Sequence, residues 1–223
     1  MVKFKYSKSN AEAMNMTPAL TLSLLAALIL CLAAPGAASG GEKEIRQYQG
    51  KKLSPFHRDY DNSIRGPQHL DPAKYRLRID GEVENPLELS YRQVLEMPHH
   101  QRLVTMPCVE GWSEDLLYEG VLLQDILDRA RPGPDATYLV FHCADGYTTG
   151  LKLDYLREAG ALLAFKINGL TLDAKRGFPF QLVVPHKLGY KWAKWITRLE
   201  LTRARRLGYW EKRGYSDEAD TDR

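Results

Sequence analysis

Between Tyr75 and Thr202 this chain is written as short apolar or alternating segments, cut apart by Gly, Pro and Asn. That punctuation confines it to short strands and shorter helices, an α+β domain dominated by sheet. Residues 75–80 alternate apolar and polar, which predicts a half-buried strand ending at Gly81. Asn85-Pro86 turns the chain, Ser90 caps a helix over 91–97, and Pro98 stops it. A strand over 102–106 follows. A helix over 121–130 then places Leu122, Leu123, Ile126, Leu127 and Ala130 on one face, and Pro132-Gly133-Pro134 ends it. Strands at 137–143 and 148–153 flank a turn at 144–147, and Asp154 caps a short helix through Glu158. A strand at 162–167 returns through the tight turn Asn168-Gly169 to 170–172, and strands at 180–184 and 195–202 close the domain.

With 223 residues, 44% of them hydrophobic, the chain has enough apolar mass for one sizeable core and little room for a second domain. A net charge of +3 is too mild to support a nucleic-acid partner. The N-terminus carries Lys3, Lys5 and Lys8, an apolar run over 19–34, and then Pro35-Gly36-Ala37-Ala38-Ser39. This reads as an export signal over 1–39, pointing to a periplasmic protein. The run is shorter than the roughly 20 residues of a comfortable membrane span, and an uncleaved membrane anchor is the alternative. Residues 40–70 read as an extended arm, 71–212 as the folded domain, and 213–223 as a loose charged tail.

One cysteine ends the strand at 102–106: Cys108, in Met106-Pro107-Cys108-Val109-Glu110-Gly111-Trp112. A basic, glycine-broken stretch follows later, Arg176-Gly177-Phe178-Pro179 and then Gly189-Tyr190-Lys191-Trp192-Ala193-Lys194-Trp195. A lone soft ligand with such a loop suits a heavy metal carried on an anionic organic cofactor. Beyond the leader the other cysteine is Cys143, in a segment that reads as a buried strand, so a free thiol is favoured over a disulfide. Neither paired Cys-x-x-Cys nor His-Glu-x-x-His is present to hold zinc, and no Cys-x-x-Cys-His to hold haem. Adjacent His99 and His100 point to opposite faces of a strand, which is poor metal geometry, and His186 sits beside the basic loop.

Further segments accompany these: Asp61-Asn62-Ser63-Ile64-Arg65-Gly66-Pro67-Gln68, Asp145-Gly146-Tyr147-Thr148-Thr149, Gly208-Tyr209-Trp210-Glu211 and Arg213-Gly214-Tyr215-Ser216. In this order the set resembles the molybdopterin-binding domain of the sulfite oxidase family, which includes the catalytic subunit of periplasmic methionine sulfoxide reductase. The resemblance spans roughly residues 58–215. It implies a sulfite-oxidase-type fold with short helices and a molybdenum–molybdopterin cofactor. It makes the Cys108 thiolate the protein's ligand to molybdenum. Asn62, Arg65, Thr148, Arg176, Gln181, Trp192, Ala193 and Lys194 would hold the pterin. Glu110 and Tyr147 would take catalytic roles, supporting or proton-handling, although a salt-bridged acid and a packed ring explain them equally well. The implied chemistry is two-electron oxygen-atom transfer on a small-molecule substrate. With no haem motif in the chain, an external electron carrier is needed, a cytochrome or a membrane quinone protein. Gln181 stands where the methionine sulfoxide reductase branch carries arginine, which weakens the case for an anionic substrate such as sulfite. Two other readings stay open at this point. One is a cofactor-free binding module, suggested by Gln181 and by a leader without paired arginines; the other is a thiol redox protein using Cys108 and Cys143.

Overall fold

The computed structural model describes residues 41–57 and 62–221, so the leader and Asp61 lie outside the described residues. In chain order the elements are β1 (Gln47–Tyr48), β2 (Lys51–Lys52), β3 (Arg76–Gly81), β4 (Leu87–Ser90), α1 (Tyr91–Leu95), β5 (His99–Pro107) and β6 (Ser113–Leu122). There follow α2 (Leu123–Ala130), β7 (Tyr138–Cys143), β8 (Thr148–Lys152), α3 (Leu153–Glu158), β9 (Leu162–Ile167), β10 (Leu170–Thr171), β11 (Gln181–Val183) and β12 (Ile196–Thr202). Among the described residues two five-stranded sheets form the body. One runs β4-β3-β12-β7-β8, with β12 parallel to β3; in the other, β10-β9-β6-β5, β11 also pairs with β9. No helix among the described residues is long and apolar enough to cross a membrane.

Local chemistry explains many of these elements. On β3, Leu77 and Ile79 are buried while Arg76 and Arg78 face water. Ser90 forms a reciprocal capping box with Gln93: its Oγ accepts from the Gln93 N–H at 3.2 Å, and Gln93 Oε1 accepts from the Ser90 N–H at 2.8 Å. Asn168 and Gly169 both have positive φ, 52° and 79°, as a two-residue hairpin turn requires. Asn168 is also a stitch: its Oδ1 accepts from the Leu117 N–H and its Nδ2 donates to the Ser54 carbonyl, tying the arm to the sheet.

Four expectations need correction. Residues 113–120 had no assignment and 121–122 were expected in the helix, yet 113–122 is the longest strand among the described residues; Val121 and Leu122 finish it, and the helix begins at Leu123. Its polar opening is satisfied from far away in sequence. Glu114 is buried against Arg176 at 2.9 Å, and Asp115 accepts from Lys51 and Thr105. Asp154 is no cap, because α3 starts behind Lys152 without a side-chain cap and Asp154 lies in its first turn. The strand at 102–106 is longer than expected, filling 99–107 as the edge of its sheet. The C-terminal residues to Thr221 are not loose either. Lys187 donates to Asp220 at 2.6 Å, and Lys191 to Glu211 at 2.5 Å.

Gly120 sits at an irregularity in the β6–β9 pairing, where a Cβ would lie 2.4 Å from the Leu163 carbonyl oxygen and 2.7 Å from Ala164 Cα. Both are backbone atoms that cannot swing aside. Gly120→Ala is expected to destabilise the fold by about 1–3 kcal/mol or more, read as a lower denaturation midpoint at unchanged slope.

Candidate active site

β5 ends at Pro107, and the next residue starts a tight loop. The Cys108 N–H donates to the Trp112 carbonyl at 2.8 Å and the Gly111 N–H to the Cys108 carbonyl at 3.1 Å, with Gly111 at φ 85°. Gly111 supplies a conformation that other residues resist. Across from it, the loop between β11 and β12 folds back under Cys108. A Cβ on Gly189 would lie 3.2 Å from the Pro107 carbonyl oxygen and 3.3 Å from Met106 Sδ, a tight fit that a side chain would crowd. Trp192 Nε1 donates to the Lys187 carbonyl and Trp195 Nε1 to the Ala174 carbonyl, which fixes this loop from inside.

Between the two loops lies a cleft of about 230 Å³. It brings together most of the residues expected from the sequence: Asn62, Cys108, Glu110, Tyr147, Gln181, Trp192, Ala193 and Lys194. Three others stand outside its lining. Arg65 lies against the Gly146 turn, within 3.7 Å of a Cβ built there. Thr148 opens β8, and its carbonyl accepts from the Tyr209 N–H at 2.7 Å. Arg176 is fully engaged elsewhere. It donates to the carbonyls of Pro55 and Phe56 and to both oxygens of Glu114, pinning the arm to β6. Its place corrects the expectation of a pterin contact. His186 faces a separate groove with Thr105 and Pro107.

Sequence reasoning did not assign site roles to Trp112, Tyr190, Trp210 and Tyr215, which wall the same cleft. A signal was there: tryptophan and tyrosine set in a charged C-terminal stretch have no core to enter, and exposed aromatics mark binding surfaces.

The electrostatics are those of a nearly neutral cleft. Glu110, Asp145 and Lys194 are the charged residues in its lining, and no arginine is among the described lining residues. Burial raises the Cys108 thiol above the ordinary cysteine range; backbone N–H groups of Glu110 and Val109 oppose this, and the Glu110 carboxylate adds to it. Glu110 Oε2 sits 3.9 Å from Cys108 Sγ and accepts from Trp112 Nε1 at 2.8 Å, so it orients the tryptophan as well. In cofactor-free protein the thiol is therefore protonated at neutral pH. Glu110→Gln keeps an acceptor for Trp112 and removes the like charge, so it lowers the thiol's pKa. Alkylation of Cys108 by iodoacetamide at pH 8 is expected to accelerate several-fold; an unchanged rate would contradict this.

Tyr147 is a donor and not a base. Burial, then the charge of Glu211, pushes its phenol far above the ordinary tyrosine range, and its hydroxyl donates to the Tyr190 carbonyl at 2.5 Å. Cys143 is free, buried in the core, and driven well above the cysteine range by burial. A thiol so placed has no accessible thiolate, which removes the thiol redox reading.

The donor set decides what the cleft can hold. The described residues contain no group of His, Cys, Asp and Glu suited to a bare metal ion. Cys108 is a single soft ligand, so a metal here must arrive with most of its ligands. Gln181 is only 5% exposed, lines the cleft, and has no side-chain hydrogen-bond partner among the described residues. Its amide is thus free to meet a polar ligand in the cleft. With Asn62, Lys194 and the aromatic walls, the cleft fits an organic cofactor carrying the metal.

Comparison with known proteins agrees. The family profile "Oxidoreductase molybdopterin binding domain" matches residues 64–210. The uncharacterized oxidoreductase YuiH of Bacillus subtilis is 35% identical over 69% of this chain and 78% of its own length. The putative protein-methionine-sulfoxide reductase subunit YedZ1 of Azospira oryzae is 34% identical over 73% of this chain and 61% of its own. The protein-methionine-sulfoxide reductase catalytic subunit MsrP of Campylobacter jejuni is 28% identical over 70% of this chain and 58% of its own. The chain thus spans less than two thirds of the latter two relatives. Among solved structures, the sulfane dehydrogenase SoxCD from Paracoccus pantotrophus shares the fold, with a TM-score of 0.60 and 23% identity over 77% of this chain and 55% of its own. The sheet-dominated, sulfite-oxidase-type fold is the one the sequence led us to expect, and the binding-module reading gives way. This chain belongs to the oxidoreductase molybdopterin-binding domain family, and is an enzyme whose cofactor is molybdenum–molybdopterin.

Proposed function

We propose that the protein reduces neutral sulfoxides by two-electron oxygen-atom transfer, with Cys108 as its sulfur ligand to molybdenum. In balance, one dialkyl sulfoxide, two protons and two electrons give one dialkyl sulfide and one water. When bound, the molybdenum–pterin group supplies the two-electron couple and the site of oxygen transfer. The protein's own residues do the rest. Cys108 would hold the metal as a thiolate; Asn62, Gln181 and Lys194, all in the cleft lining, would bind the pterin's polar groups. Glu110 orients Trp112 in the cleft wall, and Tyr147, through the Tyr190 carbonyl, holds the loop that forms the far wall.

The observation that carries this reading is a soft ligand in a cleft whose described lining has aromatic walls and no arginine. An anion needs fixed positive charge, preferably a bidentate guanidinium, whereas a neutral S=O group needs one donor and apolar walls. The names of the YedZ1 and MsrP relatives point the same way. Export to the periplasm belongs to the proposal, supported by Lys3, Lys5, Lys8 and the apolar run over 19–34. So does an external electron carrier, a cytochrome or a membrane quinone protein.

The test compares two substrates on cofactor-loaded protein. Methyl sulfoxides with reduced viologen as donor are expected to turn over at least on the order of tenfold faster than sulfite with ferricyanide, since a neutral group in place of a charged one loses about that much on an anion. Sulfite oxidation without sulfoxide reduction overturns the proposal.

A further inference from the structure

We propose that the segment 203–216 is the docking face for an acidic, one-electron carrier protein. The inference rests on the oxygen-atom-transfer reading, because it concerns how that site receives electrons. Two observations meet there.

The first is a run of rings in tilted and edge-to-face contact, reaching from the cleft to the surface. Tyr147 lies 5.9 Å from Tyr209, Tyr209 5.2 Å from Trp210, and Trp210 5.1 Å from Tyr215, centroid to centroid. Tyr190 closes the group at 5.3 Å from Tyr215. Tyr147, Trp210 and Tyr215 line the cleft, while Tyr215 is 40% exposed. Electron tunnelling decays steeply with distance, so a carrier must bring its redox edge close. The Tyr215 end of this wall offers dense, ordered matter between the cleft and solvent.

The second is charge. Arg203, Arg205, Arg206, Lys212 and Arg213 are all exposed, whereas the one acid between 203 and 216, Glu211, is buried and held by Lys191. Arg203 and Arg205 have carboxylate partners. Arg206, Lys212 and Arg213 form no ion pair among the described residues, and the Arg213 guanidinium lies 3.6 Å over the Tyr209 ring. Leu207 and Tyr215 in the same stretch are exposed as well. An exposed stretch with three cations lacking ion pairs among the described residues suits a partner whose own redox edge is ringed by carboxylates, since complementary charge steers encounter and fixes orientation. Each docking event oxidises the carrier by one electron, so two events supply the electrons that sulfoxide reduction consumes with its two protons.

The test uses flavodoxin, an acidic one-electron carrier, as the probe, and holoenzyme with Arg206 and Lys212 both changed to Glu. Wild-type protein is expected to bind flavodoxin, with affinity falling at least tenfold between 20 and 200 mM salt and at least tenfold in the variant. Sulfoxide turnover with reduced viologen is expected to stay at the wild-type level in both. Binding is measured directly, so absent viologen turnover would sink the oxygen-transfer reading and leave the docking result standing. Flavodoxin binding insensitive to salt and to the variant overturns the docking face. So does binding to phosphatidylglycerol vesicles alone, which would make the face a membrane contact.

Discussion

Cys108→Ser is expected to abolish sulfoxide turnover while the fold survives nearly intact. The thiol is only partly buried; among the described residues it meets the backbone N–H groups of Val109 and Glu110 and, at a long 3.9 Å, the Glu110 carboxylate. Serine is smaller by little and keeps the loop, whose geometry comes from the Cys108 backbone to Trp112 and from Gly111. The stability change should therefore stay within about 1 kcal/mol, the ordinary range for a partly exposed site. Chemistry is another matter. A hydroxyl oxygen is a hard, weakly acidic ligand where a soft thiolate is required, and no second cysteine can substitute, since Cys143 is sealed in the core. Activity should fall at least on the order of a hundredfold, the upper end of what losing a mere supporting group costs a metal site. Unfolding midpoints and turnover with reduced viologen, measured on the same preparation, separate the two effects.

Lys191→Ala should do the reverse and damage the fold first. Lys191 is 0% exposed, and its ammonium donates to the Gly150 carbonyl at 3.0 Å, Glu211 Oε1 at 2.5 Å and Asp217 Oδ1 at 3.3 Å. Thr149 and Tyr138 donate to the same two carboxylates, so strand β8, strand β7, the cleft loop and the C-terminal segment meet at one buried cation. Glu211 Oε2 already lacks a partner among the described residues. Removing the lysine leaves a buried carboxylate uncompensated, which costs about 3–5 kcal/mol. Trp210 and Tyr215 ride on the segment that this cation anchors, so the cleft wall loosens with it. A large drop in denaturation midpoint and new proteolytic cuts after 203 are expected. Lys191→Met with Glu211→Leu removes both charges at once and should recover much of the loss, because the penalty comes from the orphaned charge. A double variant as unstable as the single one would show that packing, and not charge, sets the cost.

How much of this was legible depended on where each residue's partner lies. The β3 alternation, the Ser90 capping box and the Asn168-Gly169 turn are determined within a few residues, and they read directly from the sequence. β6 did not, because Ser113-Glu114-Asp115 looks like a loop until Arg176, 62 residues away, buries Glu114. The same distance hid Arg176: beside Gly177 and Phe178 it reads as a cofactor contact, and its true partners are the arm and β6. The C-terminal acids look solvated in sequence, yet Glu211, Asp217 and Asp220 answer the lysines at 187 and 191. The place of Cys108 at a strand end was legible because the apolar run before it stops at Pro107, where β5 ends. The aromatic wall from Trp210 and Tyr215 was visible as a motif and took its place in the cleft only through those buried lysines.

X-ray absorption at the molybdenum edge, on loaded wild-type protein and on Cys108→Ser, tests the central claim most directly. The account predicts that the variant loses one sulfur neighbour from the metal, together with its turnover. An unchanged sulfur shell in an active variant would contradict it.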